Sequence, residues 1–168
     1  MSSQGEQNLV AGNKAYADSF TQGHLALPPS QHYLVLTCMD ARIDPASAFG
    51  IPLGAAHVIR NAGGNARDAL RSLVISQQLL GTKEIVLVKH TGCGMLTFKN
   101  EDAQAAVKQN KGYQAFIEVE HLDFQPFPDL EQAVKDDVAW IKGKKIEEGI
   151  NVSGWVYEVE TGKTRRVV

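Results

Sequence analysis

The sequence predicts a single α/β domain with a mainly parallel central β-sheet flanked by helices, and three observations carry that prediction. Short, almost wholly apolar runs at 33–38, 56–64 and 84–90 have the composition of strands buried on both faces, as parallel strands are. Stretches of helical periodicity alternate with them, and parallel strands need such crossovers to return the chain to the same end of the sheet. The terminal "SGWVYEVETGKTRRVV" reads as a hairpin turning at Thr161 and Gly162. It adds an antiparallel C-terminal edge strand, short and basic as an exposed edge should be. A chain of 168 residues, 43% of them hydrophobic, is the size of one domain with its own core, so residues 1–168 are read as one unit.

Each element has a local cause. In "QNLVAGNKAYADSF", Leu9, Val10, Tyr16, Ala17 and Phe20 recur at helical spacing, which predicts an amphipathic helix over 7–20 with Gly23 as a nearby stop. The "LPPS" breaker separates it from "YLVLTC". Asn65 is placed to cap a helix whose apolar face is Ala69, Leu70, Leu73, Val74 and Leu80, with Asp68 in its first turn and Gly81 as terminator. "EIVLVKH" at 84–90 is continuous enough to be a central strand. Residues 95–112 hold a short helix, and 113–128, with Pro126 and Pro128, read as a connecting loop. Asp129 opens a further helix with Leu130, Val134, Val138 and Ile141 on one face, while Lys142, Lys144 and Lys145 suit its negative end.

Composition excludes several classes of function. A formal charge of -2 and a pI near 6.2 provide no field that would draw nucleic acid or an anionic membrane surface. No basic, apolar leader opens the chain and no apolar run is long enough to cross a bilayer, so a cytoplasmic protein is expected. In that compartment two cysteines are more readily reduced, metal-bound or catalytic than joined as a disulfide.

The chemistry gathers where strands end. "YLVLTCMDARID" passes from strand to Cys38 and then to Asp40, Arg42 and Asp44 on alternate positions, and "EIVLVK" leads into His90 and Cys93. Ligands of open α/β sheets collect beyond the carboxyl ends of strands, at the point where connections diverge. If the two strands are neighbours, two sulfurs and an imidazole meet. Such a trio suits Zn²⁺, one per chain, with the fourth tetrahedral position left for water, the arrangement of a catalytic site. Asp40, two residues past a ligand, can reach that water, and Arg42 would keep its carboxylate ionised and directed. Zinc brings bound water to a pKa of roughly 7, supplying hydroxide at neutral pH.

"CMDARID", "VIRNAGG" and "HTGCGM", in this order, resemble the β-class carbonic anhydrases, strongly over residues 33–95. The resemblance implies zinc held by Cys38, His90 and Cys93, and a dyad of Asp40 and Arg42. It implies a zinc-hydroxide enzyme attacking a small linear heterocumulene, with reversible hydration of CO₂ to bicarbonate as the main reading. It further implies a homodimer, or a dimer of dimers, in which residues 1–27 form an arm whose helix crosses onto the partner, with the active sites at the interface.

Departures from the family pattern bear on the substrate. Pro29 stands where a plant-like branch has a substrate-binding glutamine, Ala41 replaces the usual serine, and Gly92 precedes the second cysteine. Each makes the site smaller or less polar, and relatives in neighbouring branches hydrolyse carbonyl sulfide or carbon disulfide instead. Two readings outside enzymology stand beside these. One is a catalytically silent zinc protein in which Asp40 closes onto the metal. The other is a nucleotide-binding α/β module, suggested by "NAGGN" and by "GCGMLT", whose Thr97 replaces the third glycine of a dinucleotide fingerprint. The remaining histidines, His24, His32, His57 and His121, carry no assignment.

Overall fold

The computed structural model of the chain describes residues 2–144 and 149–168; the expectation for Lys145 lies outside the described residues. Its strands are β1 (Tyr33–Cys38), β2 (Ala56–Asn61), β3 (Glu84–His90), β4 (Asn151–Tyr157) and β5 (Thr164–Arg166). They form one sheet in the order β2-β1-β3-β4-β5, with every pairing parallel except β4 with β5. The three apolar runs therefore are strands, and those carrying Cys38 and His90 are neighbours, as expected. From β1 the chain steps outward to β2 and later returns on the other side as β3. That reversal puts a topological switch point at the carboxyl ends of β1 and β3. Thr37 and Val88, 51 positions apart, lie opposite one another, and Thr37 Oγ1 donates to the Val88 carbonyl at 2.9 Å.

Among the described residues six α-helices accompany the sheet: α1 (Gln4–Asp18), α2 (Pro45–Ala48), α3 (Leu70–Gln78), α4 (Asn100–Lys111), α5 (Tyr113–Ile117) and α6 (Leu130–Gly143). Leu73 of α3 and Val134, Val138 and Ile141 of α6 pack on Leu34, Leu36, Ile85, Leu87, Val152 and Val156, forming the larger core. A second cluster on the opposite face joins Val35, Val88, Ile43, Ile51, Met95 and Phe127 with the two cysteines. Asp129 caps α6 as expected, its carboxylate accepting from the Gln132 amide at 2.8 Å.

Four elements differ from expectation. α3 begins at Leu70 rather than just after Asn65, because the Asn65 side chain accepts from the amides of Arg67 and Asp68 and spends its capping capacity on a turn before the helix. Residues 113–117 form α5 where a loop was expected. α2 follows Asp44, whose side chain caps it, and Pro45 occupies its first turn. Helices this short leave no readable period. α1 starts at Gln4, three residues earlier than expected, behind a Ser3/Glu6 capping box, and every residue from 2 to 27 is exposed.

Candidate metal centre

Cys38 ends β1, His90 ends β3, and Cys93 lies three residues on, in the turn after β3. Their sulfurs and imidazole nitrogen lie within 4.8 Å of one another, and all three residues are buried. The parallel β1–β3 pairing produces this convergence, since it brings two carboxyl ends to the same level.

The donor set fits a tetrahedral, sulfur-tolerant cation. His90 Nδ1 lies 2.9 Å from the Thr91 carbonyl, so it carries the proton and donates it there. Nε2 is left with its lone pair, buried and without a hydrogen-bond partner. A buried acceptor in that condition is costly unless something coordinates it. Both cysteines are free thiols, and Cys38 Sγ accepts from the Gly63 amide at 3.3 Å. The hydrogen bond from Cys93, aided by His90 and the Asp40 and Gly63 backbone, lowers the Cys38 thiol to about 4 against the cost of burial. Cys93 is pushed up by the same contact and by burial, so the two thiols titrate as a coupled pair. Burial lowers the His90 pKa, but the Cys38 sulfur and the Thr91 carbonyl outweigh it and raise it overall.

Asp40 and Arg42 meet beside this cluster, by a route the sequence pattern did not specify. The chain does not continue extended after Cys38. It turns, with Ile43 N donating to the Asp40 carbonyl at 3.0 Å and Arg42 N to Asp40 Oδ1 at 2.9 Å. This Asx turn folds the guanidinium back onto the carboxylate. Arg42 Nε donates to Oδ1 at 2.9 Å, and a terminal nitrogen donates to Oδ2 at 2.7 Å and to the Gly92 carbonyl at 3.0 Å. The Arg42 hydrogen bonds hold Asp40 well below the usual carboxylate range, and Asp40 in turn raises Arg42. Asp40 Oδ2 lies 3.7 Å from His90 Nε2.

Sequence reasoning missed the parts that support this site. Arg60 donates to the carbonyls of Cys38 and Asp40 at 3.0 and 2.7 Å, fixing the turn from β2. Thr91 Oγ1 donates to Glu160 at 2.7 Å, tying the His90–Cys93 turn to the C-terminal hairpin. Lys89 is 1% exposed and points away from the trio toward α6. A lysine inside an otherwise apolar central strand is the signal that would have found it. The segment "GCGMLT" forms a single 3₁₀ turn over Gly94–Leu96, and α4 starts only at Asn100, so no glycine loop opens directly into a helix as a dinucleotide site requires.

Comparison with known proteins agrees with the geometry. The family model described as carbonic anhydrase matches residues 33–125. The Mycobacterium tuberculosis β-carbonic anhydrase 1 is 41% identical over 162 residues, covering 95% of this chain and 96% of its own. A carbon disulfide hydrolase of Acidithiobacillus thiooxidans is 31% identical, covering 92% of this chain and 84% of its own. The solved carbonic anhydrase from Glaciozyma antarctica superposes with a TM-score of 0.95 at 46% identity, covering 99% of this chain and 100% of that one. Sequence motifs, sheet order and converging side chains together place this chain in the β-class carbonic anhydrase family.

Proposed function

We propose that the chain is a zinc enzyme that reversibly hydrates CO₂ to bicarbonate, with Cys38, His90 and Cys93 as the metal ligands and Asp40 and Arg42 as the catalytic dyad. The observation that carries this reading is the buried, unpartnered His90 Nε2 facing two sulfurs, with an ionised carboxylate 3.7 Å away. Zinc, when bound, makes water acidic enough to act as a nucleophile near neutral pH. The chain's own groups do the rest. Thr91 fixes the His90 tautomer, and the Gly63 amide steadies the Cys38 sulfur. Asp40, held by Arg42, can only accept hydrogen bonds, so it selects a proton-bearing oxygen at the site and orients it, while disfavouring bare anions.

Assembly as a homodimer through residues 1–27 is part of the same reading. On α1, Leu9 and Val10 are each 70% exposed and Tyr16 is 56% exposed, too much apolar surface for a helix left in water. The protomer also presents an apolar groove of about 380 Å³ on the sheet face, lined by Tyr33, Val35, Phe49, Val86, Val88 and Trp155. An arm and a groove of this kind suit reciprocal exchange between two copies. Among the described residues no helix is long and apolar enough to cross a membrane. Two thiols needed as ligands suit a reducing compartment, consistent with a cytoplasmic location.

Hydrolysis of carbonyl sulfide or carbon disulfide is the second reading, favoured by the relationship to the carbon disulfide hydrolase and by the small side chains Ala41 and Gly92 beside the dyad. One experiment separates the two. CO₂ hydration and H₂S release from each sulfur substrate are measured on the same zinc-loaded preparation, and CO₂ turnover is expected to dominate. A protein that binds no zinc, or that binds it and turns over none of the substrates, overturns the proposal.

A further inference from the structure

Lys89 sits one residue before a proposed metal ligand, on the opposite face of β3, and is almost wholly buried in the core. Its ammonium has three donors and finds three oxygens: Asp137 Oδ2 at 2.8 Å, the Gly63 carbonyl at 3.0 Å and the Gly64 carbonyl at 3.3 Å. The ring of Phe127 lies 4.6 Å beneath it. Asp137 reaches the same segment, accepting from the Ala66 amide at 3.2 Å. Stability alone does not explain the pair, because buried ion pairs typically do no better than apolar residues of similar volume.

What the pair touches does explain it. The peptide on the N-terminal side of Gly63 donates its N–H to Cys38 Sγ, and the peptide on the C-terminal side offers its carbonyl to Lys89. Only the Gly63 φ and ψ, 76° and 6°, separate the two groups. Asn61 and Asn65 clasp the segment at its ends, at 2.6 and 2.9 Å, with bonds that do not involve the Gly63 and Gly64 carbonyls. The lysine grips those carbonyls.

We infer that Lys89 is a positioning residue for the metal centre: with Asp137 it locks the Gly63–Gly64 backbone so that the Gly63 amide stays aimed at the Cys38 sulfur. A hydrogen bond to a ligating sulfur orients it and moderates the charge it donates, and loss of such outer contacts commonly costs about 10- to 100-fold in metal affinity. The inference rests on the zinc reading above.

The test compares wild type with the double variant Lys89→Met/Asp137→Leu, which removes both charges at nearly constant volume, and with Asp137→Asn. Three quantities are read: zinc affinity by chelator competition, the sulfur-to-metal charge-transfer band of the Co²⁺-substituted protein, and the thermal midpoint of the metal-free protein. The double variant is expected to bind zinc about 10- to 100-fold more weakly with a shifted band, while the metal-free midpoint stays within about 4 °C of wild type. Unchanged affinity and band overturn the inference, as does an affinity loss that only follows a loss of metal-free stability. Should the double variant not fold, Asp137→Asn decides: a band displaced from that of wild type together with weaker zinc binding supports the inference, since a neutral acceptor forms the weaker bond, and no shift ends it. A wild type that takes up neither zinc nor cobalt sinks the functional reading itself, an outcome distinct from variants that match a metal-binding wild type.

Discussion

Replacing Arg42 with methionine should separate catalysis from stability. The substitution keeps an unbranched apolar stem and removes three donations: two to the Asp40 carboxylate at 2.9 and 2.7 Å and one to the Gly92 carbonyl at 3.0 Å. The Arg42 side chain is 54% exposed, so water and salt screen the ion pair and its loss should move the thermal midpoint by no more than about 4 °C. The effect on turnover is governed by a different distance. Asp40 Oδ2 lies 3.7 Å from His90 Nε2, and a released carboxylate would need only a side-chain rotation to reach the cluster and compete with water for a metal held there. Loss of the oriented acceptor should lower the CO₂ hydration rate by about 10²- to 10⁴-fold, the range for a positioned acid–base group.

The pH dependence carries its own sign. A carboxyl group whose folded pKa is depressed contributes stability that is present above its unfolded value of roughly 3.9 and is lost as pH falls through the folded value. In wild type that window lies below the ordinary carboxylate range, so Asp40 imposes no acid limb on activity above pH ~4. In the variant only the backbone amide at position 42 still donates to Asp40, so its pKa rises and an acid limb moves toward the ordinary range. Stopped-flow hydration from pH 4 to 9 with parallel melting curves is the assay. A variant that keeps more than about a tenth of wild-type turnover, or loses it in step with its folded fraction, refutes the reasoning.

Gly64→Ala should destabilise the fold by about 2–5 kcal/mol in urea unfolding, about 1–2 of it from a left-handed conformation and the rest from overpacking. Gly64 has φ +57°, and an added Cβ would stand 3.0 Å from the Thr37 carbonyl carbon and 3.2 Å from the Cys38 nitrogen, backbone atoms that cannot swing aside. Deleting residues 2–27 should leave the circular dichroism of the protomer's sheet and core helices intact while sedimentation shifts to monomer, because none of those residues is buried within the protomer.

Much of the fold was legible because its signals are strong and local. β1, β2 and β3 are apolar runs set off by turn residues, and α6 announces itself through Asp129 and a regular stripe ending at Ile141. The start of α3 was misjudged because an asparagine can serve a turn as readily as a helix, and nothing in the local sequence says which. The convergence of Cys38, His90 and Cys93 was legible because each ends or follows a strand whose end could be read. The way Asp40 meets Arg42 was not, since it depends on a turn rather than on strand alternation. The Lys89–Asp137 pair was also hidden, because its partners lie on a glycine segment and on α6, and only the tertiary structure brings them together.

The adjacency of β1 and β3 also orders the protein's maturation. Candidate ligands contributed by two separate strands lie far apart on a nascent segment, unlike the closely spaced cysteines of a zinc finger, so pairing of the strands would precede capture of an ion. The larger core under α3 and α6 contains none of the three ligands, and the polypeptide can collapse around it without metal. An ion held by Cys38, His90 and Cys93 would then arrive late and act as a staple across a long loop, stabilising a chain that had already found its shape.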